Sequence, residues 1–145
     1  MFGRRKRVIE RILIVEDEPL VAFDNEHFLT DAGYQVVATT DRVAEALAVI
    51  GSDPRPDLIL LDVSLSDGGD GIDVARAAAK TGVPVMFVTG QCPAHATALA
   101  LGCLSKPYQP RELVTAIEAI DDLLAGRRPR KVPAGLSLFR DASAA

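Results

Sequence analysis

The chain reads as an open, doubly wound α/β domain, a parallel sheet of five strands with helices on both faces. Three observations predict it. Short apolar runs alternate with helical stretches, strand then helix, through residues 11–126. Two of the runs, Ile12-Leu13-Ile14-Val15 and Leu58-Ile59-Leu60-Leu61, are apolar without alternation, as strands covered on both faces must be. Finally, chemically complementary groups close these runs: Glu16-Asp17-Glu18 after the first, Asp62 after the third, Thr89 after the fourth and Lys106 after the fifth. In an open α/β sheet the carboxyl ends of the strands are the ligand-binding edge.

Each element follows from local signals. Arg11–Glu16 is the first strand. Pro19 opens a helix at a permitted first-turn position, Leu20, Val21, Phe28 and Leu29 give its stripe, and Asp31-Ala32-Gly33 stops it. Tyr34–Thr39 is the second strand. Asp41 is the expected N-cap of a helix over Val43–Ile50, with Gly51 as its stop. Pro54 and Pro56 break the chain before the third strand, Asp57–Asp62, and a Gly/Ser/Asp-rich loop covers Val63–Asp70. A helix over Ile72–Thr81 ends at Gly82, and Pro84–Thr89 is the fourth strand. Pro93–Leu101 is expected to be a short Ala-rich helix, Cys103–Ser105 the fifth strand, and Pro110 the start of a last helix with Leu113, Ile117, Ile120 and Leu124 on its apolar face, ending at Gly126.

A chain of 145 residues is long enough for one domain and one ordinary core. The expected division is a basic N-terminal extension at 1–10, the α/β domain at 11–126, and a basic, mostly disordered tail at 127–145 in which Leu136, Leu138 and Phe139 are the residues able to dock. The formal net charge of −4 hides an asymmetry: residues 1–11 and 126–145 each carry five Lys or Arg against one acid, so the middle of the chain is strongly acidic. An acidic domain does not suit nucleic acid, where binding rests on neutralised phosphates, and the basic ends read as solvated runs. No apolar run approaches the roughly 20 residues that cross a bilayer, and no apolar signal-peptide region follows the basic start. Cys92 and Cys103 match neither a redox-motif nor a zinc spacing, so two reduced structural thiols in a cytoplasmic protein are expected. His27 and His95 fall on helices away from the polar edge and have no metal-spaced partner.

The chemistry of the edge is that of phosphoryl groups. A carboxylate attacks phosphorus to give an acyl phosphate, and phosphoryl transfer asks the protein chiefly for positioning and for neutralisation of the oxygens. Magnesium suits this and is held by one or two carboxylates, waters and the phosphate itself. Glu16, Asp17 and Asp62 supply carboxylates, and the backbone carbonyl of Ser64 is a further ligand. Crowded carboxylates resist full ionisation without a cation. Lys106 adds positive charge, and Thr89 a hydroxyl. Taken singly each group has a bland reading: acids at a helix N-terminus, a loop-starting Asp, a strand-ending Thr, a surface Lys. All four at the ends of strands one, three, four and five are not bland.

The motifs Ile14-Val15-Glu16-Asp17-Glu18-Pro19, Leu60-Leu61-Asp62-Val63, Phe87-Val88-Thr89-Gly90 and Ser105-Lys106-Pro107-Tyr108, in this order and spacing, resemble the receiver domain of bacterial two-component response regulators, over residues 11–125. The resemblance implies a flavodoxin-like, CheY-like sheet of order 2-1-3-4-5. It implies that Asp62 accepts a phosphoryl group from a histidine kinase or histidine phosphotransferase, that Asp17 binds Mg2+ directly and Glu16 through water, that Thr89 and Lys106 bind the phosphoryl oxygens with Gly90 in the switch loop, and that the bond before Pro107 is cis. It also implies a contact surface for a downstream protein on the fourth helix, fifth strand and fifth helix, about Pro93 to Ala125. One departure stands out: the family commonly places an aromatic three residues before the Lys, and here that residue is Cys103. The stretch Pro84-Val85-Met86-Phe87-Val88-Thr89-Gly90 resembles a stand-alone alphaproteobacterial subfamily that lacks the switch aromatic and is linked to stress signalling, with Val85 and Val88 replacing its Phe and Ala.

The expected function is therefore a single-domain response regulator that turns over no external substrate. A phosphate sink or relay intermediate without output is the alternative. A Mg2+-dependent phosphohydrolase would want a second Asp two residues after the nucleophile, where Ser64 stands. In a flavodoxin-like cofactor binder, the acids after the first strand would repel a cofactor phosphate.

Overall fold

The structure, a computed structural model, describes residues 6–65 and 70–139. Five parallel strands, β1 (Arg11–Val15), β2 (Gln35–Thr40), β3 (Leu58–Leu61), β4 (Val85–Thr89) and β5 (Gly102–Ser105), run in the order β2-β1-β3-β4-β5. Three α-helices connect the first four strands, α1 (Pro19–Asp31), α2 (Val43–Ile50) and α3 (Gly71–Thr81), and a fourth, α4 (Pro110–Leu124), follows β5.

Strand periodicity sorts the core into two layers. The even-numbered residues Ile12, Ile14, Leu58, Leu60, Met86, Val88 and Leu104 face one way and pack with Leu29 of α1 and Leu113, Ile117 and Ile120 of α4. The odd-numbered Leu13, Val15, Ile59, Leu61, Val85, Phe87 and Cys103 face the other way and pack with Ala46 and Ile50 of α2 and Val74, Ala75 and Ala78 of α3. Every residue of β3 and β4 is buried, and each such Leu, Ile or Phe contributes ~1.5–3 kcal/mol by leaving water. A one-residue slip would exchange the two layers, so the register is firmly set.

Helix ends follow local chemistry. Pro19 occupies the first turn of α1. The Asp70 carboxylate accepts from the amide of Ile72 to start α3, and Gly82, at φ 78°, ends it in the left-handed region. The amide of Gln109 donates to the Glu112 carboxylate at the start of α4 (2.7 Å). Asp41 does not cap α2. The capping position is Arg42, whose amide donates to Thr40 Oγ1 (3.1 Å). The cap sits one residue on because β2 runs through Thr40 and its hydroxyl reaches the amide first.

Three expectations are corrected. Pro93–Leu101 does not form an α-helix: Ala94–Leu99 is a 3-10 turn broken at Ala96, since Pro93 and the runs on either side leave too few residues for a stable α-helix. The basic extension is not separate from the domain. Ile9 is wholly buried, the amides of Val8 and Ile9 donate to Asp121 Oδ2 (3.0 and 2.9 Å), and the Arg7 guanidinium lies 4.1 Å from the Tyr34 ring centre. Nor is residue 127 onward simply a disordered tail. Leu136–Leu138 forms a sixth strand, β6, antiparallel to β5, so the sheet has six strands in the order β2-β1-β3-β4-β5-β6.

The signal for β6 was the alternation Leu136-Ser137-Leu138-Phe139. Leu136 and Leu138 enter the α1/α4 layer and Phe139 the other, with its ring 6.3 Å from that of Phe87. Gly102 makes the pairing possible: a side chain there would meet the Ser137 carbonyl oxygen at 2.9 Å. The loop expected at 63–70 lies outside the described residues at 66–69, as do residues 1–5 of the extension and 140–145 of the tail.

If β6 belongs to the folding unit, Leu136→Ala, which empties a nearly fully buried site, destabilises the chain by about 2 kcal/mol. The denaturant midpoint reads this directly, and an unchanged midpoint would return the segment to a loose tail.

Candidate functional site

The sheet register brings the polar residues together. Val15 pairs with Leu61, Leu61 with Phe87, and Thr89 with Ser105. The residues at or just past these positions, Glu16, Asp62, Thr89 and Lys106, therefore emerge at one edge. The Asp62 amide donates to the Val15 carbonyl (2.9 Å) and the Lys106 amide to the Thr89 carbonyl (3.0 Å), so the pairing extends one residue past the strands on both sides. Gly71, at the start of α3, lets that helix press against the end of β3: a side chain there would lie 2.6 Å from Val63 Cα and 2.8 Å from the Asp62 carbonyl oxygen. This close approach fixes the backbone that carries Asp62.

Lys106 is the hub. Its ammonium donates to Glu16 Oε2 (2.8 Å), Glu18 Oε1 (2.7 Å) and Asp62 Oδ2 (3.0 Å). The other oxygen of Asp62 accepts from the Ser64 amide (2.9 Å), and Glu16 Oε2 also accepts from the Glu18 amide (3.2 Å). Glu16, Asp62 and Thr89 are all buried, Asp62 at 5% exposure. Asp17 lies between them and solvent, and ligand atoms of Glu16, Asp17 and Asp62 all lie within 4.8 Å of one another. That is a donor set of hard oxygens open on one side, the kind that a small divalent cation takes with waters completing its shell. It fits Mg2+.

The electrostatics say the same. Burial pushes the Glu16 carboxyl up to about 7, against the pull of Lys106. Burial, and then the charge on Asp62, raise Asp17 as well. Burial alone would lower the Lys106 ammonium, but its bonds to Glu16, Glu18 and Asp62 outweigh that and hold it above the ordinary lysine range. One cation thus faces four carboxylates, and the site has room for a second positive charge.

Beside this cluster opens a cavity of about 710 Å3, lined among others by Asp62, Thr89, Gly90, Lys106 and Tyr108. Pro107 also lines it, and the Lys106–Pro107 peptide is cis. Ser64 touches Asp62 through its amide, and its side chain is exposed. Cys103 lies outside the cavity, wholly buried in the α2/α3 layer. It is not a free thiol, because Cys92 and Cys103 form a disulfide. The expectation of two reduced thiols, drawn from sequence spacing, missed that the β4–β5 crossover brings residues 92 and 103 to a Cα separation of 6.1 Å, within disulfide reach.

Sequence reasoning missed two participants. Glu18 is the third carboxylate on Lys106. Asn25 is a buried polar residue of α1 and accepts from the Tyr108 hydroxyl (3.0 Å), closing the cavity wall. For Glu18 the signal was its place in the acid run. For Asn25 it was a polar residue on the inward face of α1, at helical spacing between the apolar Ala22 and Leu29.

Comparison with known proteins agrees with this geometry. Residues 12–118 match the family model of the response regulator receiver domain. The chain is 36% identical over 115 residues to the phyllosphere-induced regulator PhyR of Methylorubrum extorquens, a match covering 73% of this chain and 41% of that protein. Among solved structures it is similar to the response regulator PhyR from Brucella abortus (32% identity, TM-score 0.60, 72% of this chain and 44% of that one) and to a CheY-like receiver domain protein from Methanospirillum hungatei (26% identity, TM-score 0.70, 81% and 98%). The chain spans about half the length or less of the curated relatives it matches first. Strand order, polar edge and sequence motifs meet in one conclusion: the chain belongs to the response regulator receiver domain family.

Proposed function

We propose that this receiver is a phosphorylation switch. Asp62 accepts a phosphoryl group from a histidine kinase or histidine phosphotransferase, and the change is passed on by protein–protein contact. The observation that carries this reading is the bridge of Lys106 between Asp62 and Glu16, beside a cavity open to a donor.

In the proposed step a carboxylate oxygen of Asp62 attacks phosphorus. The P–N bond of the donor phosphohistidine breaks, and its electron pair leaves with the imidazole. Asp62 is held for this by the Ser64 amide on Oδ1 and Lys106 on Oδ2. Asp17, Glu16, Asp62 and the carbonyl of Ser64 would hold Mg2+, which supplies charge neutralisation at the phosphoryl oxygens. Thr89 and Lys106 are the residues placed to bind those oxygens, Thr89 through its hydroxyl and Lys106 through its ammonium. Phosphorylation favours whichever arrangement of the Thr89–Gly90 loop binds the new dianion better. The output surface is proposed on the 3-10 turn, β5 and α4, with β6 on its margin, since the β5 edge is already paired.

Incubation with phosphoramidate and Mg2+, read by intact mass, is expected to add one phosphoryl group to the wild-type chain and none to Asp62→Ala. Labelling retained in that variant would remove Asp62 from the role.

Lys106→Ala should keep Mg2+ binding in a titration but lose most of the phosphorylation-induced change in the amide spectrum of residues 89–92. A full-sized change would show that Lys106 does not read the phosphoryl group.

Stability of the metal-free chain should depend on pH through Glu16. The unfolded chain gives up this proton near 4.5 and the folded one near 7. Between those values the folded state binds more protons, so stability falls as pH rises and levels off above about 7. Thermal midpoints across that window should show the fall, Mg2+ should offset it, and Glu16→Gln should flatten it. A rise in stability over the same window would contradict the assignment.

A further inference from the structure

The Cys92–Cys103 bond joins the segment that follows β4 to β5, the two strands whose ends carry Thr89 and Lys106. Cys92 stands three residues after Thr89, and Cys103 three residues before Lys106. The bond closes a loop that contains the whole 3-10 turn Ala94–Leu99. That turn is lightly anchored: it is broken at Ala96, and Ala96 is its only buried residue. Cys103 itself is anchored in the sheet, paired with Phe87 on one side and Ser137 on the other, and wholly buried. Cys92 is partly exposed, with its sulfur 3.9 Å from the Ser105 hydroxyl. One end is therefore fixed and the other reachable. A domain with a complete core on both faces of its sheet does not need a staple to fold. A disulfide tying a lightly held segment to the sheet has a different use.

We propose that Cys92–Cys103 is a reversible dithiol–disulfide site that sets the mobility of residues 90–99 and thereby gates the receiver's response. The gating, though not the redox site, rests on the phosphorylation reading above. Closed, the bond ties the backbone following Thr89 to β5 and opposes its rearrangement. Open, the loop is free to follow the phosphoryl group. The exchange partner is a low-molecular-weight disulfide, RSSR. The Cys92 thiolate attacks one of its sulfurs, expels one RSH after protonation and leaves a mixed disulfide on Cys92. The Cys103 thiol then gives up its proton and attacks the Cys92 sulfur, forming the internal bond and releasing the second RSH. Two protein thiols lose two electrons and two protons, and RSSR gains them. The reverse sequence with two RSH reopens the site.

The test uses the full chain equilibrated in glutathione buffers of graded oxidised-to-reduced ratio, trapped with a thiol-alkylating reagent and weighed intact. Amide hydrogen exchange over residues 90–101 is followed in the fully oxidised and fully reduced forms, with and without phosphoramidate and Mg2+. The proposal expects both thiols to appear and disappear together and reversibly. It also expects exchange over 90–99 to be roughly tenfold slower in the oxidised form, and a phosphorylation-induced change in that segment in the reduced form only. Cys92→Ser, at the exposed end of the bond, should behave as permanently reduced, and Cys103→Ala should do the same if the vacated core site is tolerated. Thiols that stay free in oxidising buffer overturn the redox site, and equal exchange in the two forms overturns its control of the segment's mobility. Those two readings need no phosphoryl donor. Failure of Asp62 to label in either redox state overturns the gating and the phosphorylation reading together, while leaving the redox site standing.

Discussion

One ammonium group among too many carboxylates governs this molecule. Lys106 reaches Glu16, Glu18 and Asp62 at once, and Asp17 stands just outside. Removing such charges from water costs more than one cation returns, and the excess appears as a Glu16 carboxyl pushed up to about 7. A proton on Glu16 or a divalent cation beside it would balance the site, and the two would compete for the same oxygens. The rest of the fold places these groups. The parallel sheet delivers one residue from each of four strand ends to a single edge, and Gly71 lets α3 lock the backbone behind Asp62.

That edge was legible in the sequence because each of its residues closes an apolar run. Where the chain is apolar without alternation, as at Leu58–Leu61, the strand and the polar residue that ends it are both fixed by burial. The elements that escaped sequence reasoning lack that signal. The 3-10 turn at Ala94–Leu99 has helical composition but too few residues to sustain an α-helix. β6 has only three residues and follows a basic, Pro-containing stretch whose composition resembles a solvated tail. Its alternation is decisive only once β5 is seen to present an edge with Gly102 in it. The disulfide is a product of topology: eleven residues of spacing say nothing until the crossover returns the chain to the neighbouring strand.

β6 changes what the outer margin of the sheet can do. An unpaired β5 would be an open row of donors and acceptors. Here the Ser105 amide donates to the Gly135 carbonyl (3.0 Å) and the Phe139 amide to the Leu101 carbonyl (3.0 Å), bracketing the paired residues. Strand addition by a partner is thereby blocked at β5, and the edge of the sheet on this side is β6.

The replacement of an aromatic by Cys103 has a physical consequence for how any change at the cavity travels. A half-exposed aromatic ring on β5 can report a change by moving between an inward and an outward rotamer. Cys103 has neither the size nor the freedom: it is wholly buried and covalently held to Cys92. A second aromatic joins Phe87 in this layer from just past β6, as Phe139, whose amide donates to the Leu101 carbonyl ahead of β5. With no ring free to swing at position 103, the proposed response would pass through backbone, along the segment from Thr89 to the 3-10 turn. Coupling of that kind is set by how firmly the segment's far end is tied down, and in this chain the tie is a covalent bond.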